Sequence, residues 1–458
     1  MRVAPPAALA AQPTSLSRLL GIALDALRTG AEERGGPLPA GGPEAVGARV
    51  RAALGDVLPE TGTGQDEALR TLVHLVAAGA ADPAHPLCAA HLHTPPLAVA
   101  AAADLAAAAL NPSMDSWDQA PAASALEAEV TAALAAEVFP GAARPDALVT
   151  TGGTESNQLA LLLARERHGP GLTTVVGAQA HHSVRRAAWL LGLPEPVTVP
   201  TPSGLLDPAA VARTLAAQQG PVLLAATAGT TDEGLIDPLP ELADACAAHG
   251  AELHVDAAYG GPLLLSRTHR RLLAGLDRAR TVTLDLHKLG WQPVAAGLLA
   301  VRESTDLAAL SHTADYLNAG DDTEAGLPDL LGRSLRTTRR PDVLKAAVTL
   351  RALGRTGLGA LVDLCLERAQ DLADLVEKAP DLELRARPAL TTVLFRPAGA
   401  EDAEVAAVRR RLLAEGRAVL GRAEADGRLW LKATLLNPHT TPDDLAQLIT
   451  LVEGGTDR

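Results

Sequence analysis

Lys288 ends one of three short segments whose side chains could act together on a carbonyl compound. The segment reads TLDLHK over residues 283–288 and closes an apolar, strand-like run. An amine that points inward at such a strand end loses its water, which favours the neutral, nucleophilic form that condenses with a carbonyl to an imine. A surface lysine at a strand–loop junction is nevertheless the commoner arrangement for any single lysine. Lys288 by itself therefore leaves the chemistry open.

Asp256 lies in a second segment, HVDAAYGG, at residues 254–261. Sheets of α/β proteins place ligand-binding groups at the carboxyl ends of parallel strands, where this aspartate is expected. If a pyridine ring lies there, the carboxylate keeps the ring nitrogen protonated and makes the ring an electron sink, while the small Ala258 leaves room for the ring face. A helix cap would explain Asp256 alone, but not the two alanines and two glycines around it.

Gly153 and Thr154 belong to a third segment, TGGTESN, at residues 151–157 between a strand-like run and an apolar-periodic helix. Two glycines allow close backbone approach, and the free N–H groups and the helix dipole favour a phosphate at that terminus. The same residues also describe an ordinary turn with a helix cap. The order of the three segments along one chain is what favours a shared site over three unrelated features.

These three segments, with a fourth that reads QAHHSV at residues 179–184, resemble the motifs of the pyridoxal-phosphate group II amino-acid decarboxylases. The resemblance covers roughly residues 80–455. It implies an aspartate-aminotransferase-like (fold type I) α/β fold, pyridoxal 5'-phosphate as the cofactor and decarboxylation of a small-molecule amino acid. It also implies a homodimer with the active site at the subunit interface.

Other stretches are similar to the bacterial siderophore-pathway decarboxylases, which act on lysine, ornithine or 2,4-diaminobutyrate. These stretches are residues 91–95, 111–121, 312–318, 334–340 and 431–438. A basic or diamino acid is therefore the substrate class that the resemblance implies.

The resemblance assigns catalytic roles to Lys288, Asp256 and His181. It implies that Lys288 carries the cofactor as a Schiff base and that Asp256 faces the pyridine nitrogen. His181 would stack on the ring face opposite Ala258, because a planar imidazole there holds the ring and can hydrogen-bond the substrate carboxylate. His182 is the alternative for that role.

Further cofactor contacts are implied for the 3-oxygen and the phosphate. Thr227 corresponds to the position near the 3-oxygen. Gly153, Thr154, Asp285 and His287 would lie near the phosphate. Asp285 departs from the family's pattern, since relatives often carry a neutral side chain there, and a carboxylate beside a phosphate is unfavourable unless it is solvated or paired.

The proton donor is the one role without an assigned residue. A decarboxylase must return a proton to the α-carbon, and many relatives use a tyrosine on a mobile loop contributed across the dimer interface. This chain has only Tyr259 and Tyr316, and residues 318–334 contain neither tyrosine nor histidine. His181 and Lys288 are the candidates. Loss of the loop tyrosine can accompany a change to oxidative, aldehyde-forming chemistry, which stays an alternative.

Thr94 and Asp115 are the implied substrate residues. Asp115 corresponds to a position that faces the neighbouring active site, where a carboxylate could pair a distal ammonium and favour a basic amino acid. An equally simple interpretation makes Asp115 the cap of the helix that includes Leu126.

Two rival functions are disfavoured. An aminotransferase of this fold holds the α-carboxylate with an arginine of the small domain, and the one tempting candidate, Arg396, fits better as a charge at a strand end. A non-catalytic binding protein with this fold is expected to lose Lys288 or Asp256, and both are present. Decarboxylation is therefore the predicted reaction.

The elements that must position these residues alternate between short β-branched runs and helical periodicity from about residue 81 to 305. Strands separated by helices imply a mostly parallel sheet. The predicted strands are 147–151, 173–177, 222–226, 252–256, 281–285 and 296–301. After residue 340 a long helical stretch runs toward residue 376, and strand-like runs follow at 391–396 and 429–433.

We predict three units from this pattern. They are an N-terminal helical arm at 1–80, a large cofactor-binding domain at 81–345 and a small C-terminal α/β domain at 346–458. In the arm, residues 15–28 have an amphipathic helical pattern that ends at the breaker GGP of residues 35–37. Such an arm caps its own subunit or packs across a dimer, and the sequence leaves both open.

Charge and composition exclude some classes of partner. The 458 residues have a formal net charge of −14, which argues against a nucleic-acid or anionic-membrane surface. Cys88, Cys246 and Cys365 are isolated thiols without CxxC spacing, which indicates a reducing compartment and no metal or disulfide framework. Because the first 30 residues lack a continuous apolar segment, we expect a cytoplasmic protein without a membrane partner.

Overall fold

The computed structural model describes residues 9–312, 314 and 317–454. Its helices are α1 (Pro13–Arg34), α2 (Gly42–Leu54), α3 (Gln65–Gly79), α4 (Ala98–Leu110), α5 (Pro121–Val138), α6 (Gly153–His168), α7 (His182–Leu190), α8 (Pro208–Ala217), α9 (Leu239–His249), α10 (Gly320–Glu324), α11 (Val343–Lys378), α12 (Asp402–Ala414) and α13 (Pro442–Glu453). Its strands are β1 (Cys88–Ala89), β2 (Asp146–Thr150), β3 (Thr173–Gly177), β4 (Val197–Val199), β5 (Val222–Thr227), β6 (Glu252–Ala257), β7 (Thr281–Asp285), β8 (Gly297–Val301), β9 (Leu382–Leu384), β10 (Thr392–Pro397), β11 (Val419–Ala425) and β12 (Arg428–Thr434).

The large unit is built on a seven-stranded sheet in the order β2-β8-β7-β6-β5-β3-β4. Strands β3 to β7 pair in parallel, and β8 runs antiparallel to both of its neighbours. The mostly parallel sheet and the six strands predicted for it are therefore confirmed, with bounds that differ by one residue at most. The short β4 is an addition that the sequence pattern did not indicate.

Helices cover both faces of this sheet, so its central strands are buried on both sides. Every residue of β5, with the sequence VLLAAT, is buried, as is every residue of β7. The apolar run of β5 is typical of parallel strands covered on both faces, whereas β7 buries Thr281 and Thr283, whose hydroxyls are hydrogen-bonded. The core is made almost wholly of Leu, Val and Ala, as expected for a chain with 2% aromatic residues.

The small unit contains a five-stranded sheet in the order β1-β11-β12-β10-β9. Both strands predicted for this unit are present, as β10 and β12. The predicted boundary at residue 81 assigns Cys88 to the large unit, whereas Cys88 pairs with Val419 of β11 in the small sheet. Local pattern does not reveal this pairing, because the two segments are far apart along the chain.

Helix α11 connects the two units. The predicted helical stretch after residue 340 is present, but Gly354 interrupts it with φ 62° and ψ −177°. The first part of α11 packs against α4, and Leu372 and Val376 near its other end belong to the core of the small unit. The predicted domain boundary at 345 therefore falls inside one long helix.

The N-terminal arm consists of α1, α2 and α3. The predicted helix at 15–28 lies within α1, and Gly35 ends α1 in the left-handed conformation at φ 67°. Arg34 of α1 bonds to the carbonyl of Ala77 in α3, and its ion pair with Asp82 at 2.6 Å joins the arm to the chain that follows it. None of the described helices has the length and apolarity needed to span a membrane.

Candidate active site

A cavity of about 290 Å³ opens at the carboxyl ends of β5, β6 and β7, beside the turn between β2 and α6. The structure places every residue predicted to contact the cofactor in its lining. These residues are Gly153, Thr154, His181, Thr227, Asp256, Ala258, Asp285, His287 and Lys288. The lining also includes Leu92, Thr151, Gly152, Gly229, Thr231 and Tyr259. Adjacent parallel strands end at the same sheet edge, which is why segments distant in sequence meet here.

The turn between β2 and α6 has room for a ligand only because two of its residues are glycine. Gly152 adopts φ 151°, and a Cβ there would lie 2.9 Å from the Cε1 atom of His287. A Cβ on Gly153 would lie 3.0 Å from that of Ala258 and 3.2 Å from Oδ2 of Asp285. The turn thus presents bare backbone N–H groups at the positive end of a sixteen-residue helix, an arrangement that binds phosphate.

Asp256 is held by two hydrogen bonds near the end of β6. Its Oδ1 accepts from the backbone N–H of Ala258 at 3.1 Å, and its Oδ2 accepts from the Asn157 side-chain amide at 2.7 Å. The residue is 7% exposed, and its backbone is in register with Thr227 on one side and Thr283 on the other. A carboxylate fixed in this way has a constant direction, as a partner for a protonated ring nitrogen requires.

Lys288 forms an ion pair with Asp285, whose Oδ2 lies 2.8 Å from Nζ. The Nε2 atom of His287 lies 3.6 Å from the same oxygen, and burial lowers the pKa of His287. The other oxygen of Asp285, Oδ1, is buried and has no hydrogen-bond partner. The carboxylate that was expected to be unfavourable beside a phosphate is therefore paired, and the amine is its partner.

His181 lines the cavity, whereas His182 does not. His181 is the N-cap of α7 and accepts from the backbone N–H of Ser183. Burial, the largest cause, lowers the pKa of His181, so the ring is neutral at neutral pH. The position favours His181 over His182 as the residue that faces a ring in the cavity.

Together these groups fit pyridoxal phosphate. The glycine turn suits a phosphate, the Lys288 amine an aldehyde, and the Asp256 carboxylate a pyridine nitrogen, while Ala258 leaves the space that a larger side chain would fill. Residues 51–398 match the pyridoxal-dependent decarboxylase conserved domain. The chain belongs to this family.

Two relatives and one solved structure support membership of the pyridoxal-dependent decarboxylase family. The chain is 42% identical over 413 residues to L-2,4-diaminobutyrate decarboxylase of Rhizobium meliloti (strain 1021), covering 87% of this chain and 83% of the relative. It is 32% identical over 446 residues to the protein of the same name from Acinetobacter baumannii, covering 89% and 87%.

The solved structure is the glutamate decarboxylase domain of a diaminobutyrate-pyruvate transaminase and L-2,4-diaminobutyrate decarboxylase from Vibrio parahaemolyticus. It superimposes with a TM-score of 0.85 at 32% identity, covering 96% of this chain and 95% of that one. The predicted family, fold type, cofactor and enzyme class are thus confirmed. The chain is a pyridoxal-phosphate-dependent amino-acid decarboxylase.

The two predicted substrate residues do not line the cavity of this decarboxylase. Thr94 is buried, and its hydroxyl faces the carbonyl of Leu436 at 3.4 Å. Asp115 accepts hydrogen bonds within its own loop, from Ser113 at 2.8 Å and from Gln119 at 2.6 Å. It does not cap the helix that includes Leu126 either, since α5 begins after Ala120 without a side-chain cap.

Among the described residues, no tyrosine presents a free phenol to the cavity. Tyr259 is 1% exposed, and its hydroxyl lies 2.7 Å from the Thr391 hydroxyl and 3.0 Å from that of Thr392. Burial raises the pKa of Tyr259 to about 12. Tyr316 lies outside the described residues. In the loop expected to carry a tyrosine in relatives, none of the described residues lines the cavity.

Two residues that sequence reasoning did not single out lie in or next to the site. Asn157, quoted only as part of the turn segment, is completely buried and contacts Asp256. Lys432 reaches across from the small unit, and its Nζ donates to the carbonyl of the cavity-lining Thr231 and to Asp232, both at 3.1 Å. An amide in the first buried turn of α6 was the available signal for Asn157, and the position of Lys432 in the family-like stretch 431–438 was the signal for that lysine.

Arg396 does not serve the site. It is buried in the small unit, where it contacts Asp402 and the carbonyl of Leu429 and lies over the Trp430 ring at 5.7 Å. The interpretation as a structural charge near a strand end therefore holds, and the arginine expected of an aminotransferase has no candidate here.

Proposed function

We propose that this decarboxylase acts on an amino acid with a distal amino group, with L-2,4-diaminobutyrate as the first candidate and lysine and ornithine as the others. The products are carbon dioxide and the corresponding diamine. The observation that carries the proposal is the 42% identity over 87% of the chain with a diaminobutyrate decarboxylase. A net charge of −14 supports it, because an acidic protein attracts a substrate with a net positive charge.

Pyridoxal phosphate, when bound, supplies a protonated ring that accepts the electron pair left behind as carbon dioxide departs. We propose that Lys288 holds its aldehyde covalently and that Asp256 keeps the proton on its ring nitrogen. Gly153 and Thr154 hold its phosphate at the start of α6, with His287 beside them. Before the aldehyde is attached, the Lys288 amine pairs with Asp285, and Nε2 of His287 lies 3.6 Å from the same carboxylate oxygen.

The remaining contacts orient the reacting groups. His181 faces the ring opposite Ala258 and directs its imidazole at the substrate, and Thr227 lies near the 3-oxygen. Among the described cavity residues, His181 and Lys288 are the candidates that can carry a proton to the α-carbon. Lys432, paired with Asp232, holds the carbonyl of the cavity-lining Thr231 and so fixes that wall of the site.

We propose that the enzyme works as a homodimer. Leu24 and Leu27 on α1 are 65% and 49% exposed, and Val76 on α3 is 68% exposed. Large apolar side chains at this exposure on two packed helices are typical of a surface that another chain covers. In such a dimer Asp115 would serve the active site of the second copy, which explains why it does not line the cavity of its own chain.

The dimer is tested by light scattering of the purified protein. We expect twice the chain mass for the natural sequence and a shift toward the monomer for Leu24→Asp with Val76→Asp. Leu272→Asp, at an exposed leucine outside the arm, is the matched control and should leave the mass unchanged. A monomeric natural protein contradicts the proposal.

We also propose that the enzyme works in a reducing compartment. Cys88, Cys246 and Cys365 are buried free thiols, and burial raises the pKa of Cys246 to about 12. Thiols of this kind stay reduced and unreactive, which suits a cytoplasmic enzyme.

Incubation with a panel of amino acids tests the substrate. Carbon dioxide and the organic product are followed by mass, and we expect a diamine from diaminobutyrate, ornithine or lysine and no aldehyde. Asp115→Asn should raise the KM for the preferred diamino acid by about 10-fold, the effect of one lost charge pair. Turnover of acidic or aromatic amino acids alone contradicts the proposal, and an aldehyde product would establish the oxidative alternative.

A further inference from the structure

A completely buried polar network lies behind the cavity, and the proposed function gives it no role. Its members are the side chains of Asn157, Ser183, His254, Thr281 and Thr283, each 0% exposed. We call them the amide network, because every hydrogen bond but one involves the Asn157 amide. They come from α6, α7, β6 and β7, the elements that carry the cofactor contacts.

The neighbour Asp256 decides which way the Asn157 amide points. A carboxylate only accepts hydrogen bonds, so the group 2.7 Å from its Oδ2 must be the NH₂ of Asn157. The Oδ1 atom of Asn157 then faces the Thr283 hydroxyl at 2.8 Å and the Nε2 atom of His254 at 3.0 Å. Both of these groups must donate.

His254 fits this requirement as a neutral ring. Burial, the largest cause, lowers the pKa of His254. A neutral ring that donates from Nε2 must accept at Nδ1, and the Thr281 hydroxyl lies 2.8 Å from that atom. The Thr281 hydroxyl, which can donate or accept, completes the hydrogen bonding of this ring, while the Asp256 carboxylate sets the orientation of the amide.

The second N–H of Asn157 starts a chain of hydrogen bonds that ends at His181 in the cavity. It donates to the Ser183 hydroxyl at 2.8 Å, so that oxygen has its own proton free to donate. The nearest acceptor is Nδ1 of His181, also at 2.8 Å, and the backbone N–H of Ser183 points at the same nitrogen at 3.3 Å. A neutral imidazole that accepts at Nδ1 carries its proton on Nε2.

We propose that Asn157 is a positioning residue that fixes two groups with one amide: the Asp256 carboxylate directly, and through Ser183 the Nε2–H form of His181. This inference rests on the proposed function only where the Nε2–H of His181 donates to the substrate. Nε2 has no hydrogen-bond partner among the described residues, and the ring lines the cavity. His181 therefore presents a hydrogen-bond donor to an anionic group of the substrate.

The arrangement also limits what His181 does in the reaction. Giving up the Nε2 proton would leave an imidazolate, since Nδ1 is already an acceptor. His181 orients the substrate by donating a hydrogen bond, and the network makes that donor permanent. A structural role alone would stabilise the protein without selecting the proton position of His181.

The test uses the full chain loaded with pyridoxal phosphate and labelled with ¹⁵N in histidine. His181→Gln identifies the His181 signals, and ¹⁵N chemical shifts report which ring nitrogen carries the proton. We expect Nε2–H in the natural protein and a mixture of both forms in Ser183→Ala. Thr174→Val is the matched control, because Thr174 is a buried threonine on β3 whose hydroxyl has no hydrogen-bond partner, and it should keep the Nε2–H form.

The kcat and the visible spectrum of the bound cofactor distinguish the Ser183–His181 branch of the network from the Asn157–Asp256 bond. Ser183→Ala should lower kcat by about 10-fold with an unchanged visible spectrum of the bound cofactor, because the Asn157–Asp256 bond remains. Asn157→Ala should lower kcat further and also shift the pH at which that spectrum changes, because Asp256 loses its donor.

A His181 proton on Nδ1 in the natural protein, or an unchanged proton position in Ser183→Ala, overturns the proposal. If Asn157→Ala does not fold, Ser183→Ala and Thr174→Val still decide it. If no amino acid is decarboxylated while the proton position of His181 shifts as expected, the proposed function fails and the positioning role of Asn157 stands.

Discussion

At the scale of single residues, the site depends on charged groups whose directions are fixed by neighbours. Asp256 accepts two hydrogen bonds, and Lys288 pairs with Asp285 across 2.8 Å. Each of these groups is nearly buried, so its charge acts in a medium of low dielectric constant, where a charge has a larger effect than in water. Small changes at these positions should therefore have large effects on activity and small effects on the fold.

Lys288→Ala should abolish the covalent attachment of the cofactor. We expect no visible imine absorbance, no adduct on the peptide after borohydride reduction, and a fall in kcat of at least about 10³-fold, because both the nucleophile and a candidate proton carrier are lost. Lys378→Ala, at an exposed lysine at the end of α11, is the control and should behave as the natural enzyme. A borohydride-trapped adduct on another lysine would refute the role of Lys288.

Tyr259→Phe should separate stability from catalysis. The phenol accepts from the backbone N–H of Thr391 at 3.1 Å and contacts two threonine hydroxyls. Its loss leaves buried groups unpaired and should lower the free energy of unfolding by about 1–3 kcal/mol, measured by urea denaturation. Because the hydroxyl is occupied and its pKa is raised to about 12, kcat should stay within about threefold of the natural value. A fall of 10²-fold or more would make Tyr259 a proton donor after all.

At the scale of elements, the parallel sheet brings the site together. The ends of β5, β6 and β7 are in register, so Thr227, Asp256 and Thr283 lie side by side although they are far apart in the sequence. The turn before α6 completes the site by bringing bare backbone to the same edge. The cofactor residues thus lie at the ends of strands and at the start of a helix, where the sheet supports them and the cavity leaves them accessible.

Gly153→Ala should block the phosphate end of the site. The added Cβ would meet Ala258 at 3.0 Å and Asp285 at 3.2 Å, and neither neighbour is a flexible chain end. We expect the Kd for pyridoxal phosphate to rise by about 10²-fold, because strain and lost contacts should cost about 2–3 kcal/mol of binding free energy. Titration of the cofactor absorbance measures this Kd. Gly171→Ala is the control, because a Cβ there meets nothing within 4 Å. Unchanged cofactor binding by Gly153→Ala would mean that the phosphate lies elsewhere.

In the molecule as a whole, the two units share part of one core. Leu390 and Leu436 of the small unit belong to the core of the large sheet. Helix α11 runs through both units, and Tyr259 and Lys432 link them beside the cavity. The active site therefore lies where the two units meet.

Histidines with a lowered pKa make the stability of the whole chain dependent on pH. Burial is the largest cause that lowers the pKa of each of six: His85, His91, His93, His181, His254 and His287. The folded protein keeps these rings neutral, while the unfolded chain binds protons below its ordinary pKa of 6.5. The free energy of unfolding should therefore fall as the pH falls through 6.5.

Urea denaturation at a series of pH values between 5 and 8 measures this dependence. His91→Asn should make it shallower, because asparagine tolerates the φ of 60° at this position and carries no titrating group. His249→Gln, at an exposed position on α9, should leave it unchanged. A stability that rises as the pH falls from 7 to 5 would contradict the assignment of these rings as neutral.

The family, the cofactor and the six main strands of the large sheet were all predictable from the sequence. This was possible because the cofactor contacts sit at strand ends and in one turn, so that each carries a local signature. Residues next to Lys288, Asp256 and Gly153 repeat the family's motifs in order, and parallel strands deliver them to one edge of the sheet without further information.

The contacts that join distant segments were not predictable from the sequence. Asn157 and Asp256 are 99 positions apart, and Tyr259 and Thr391 are 132 apart. The placement of β1 in the small sheet and the position of Lys432 at the rim are of the same kind. Such pairs depend on how the units pack, because a hydrogen bond or a strand pairing across the fold leaves no periodic pattern in either segment.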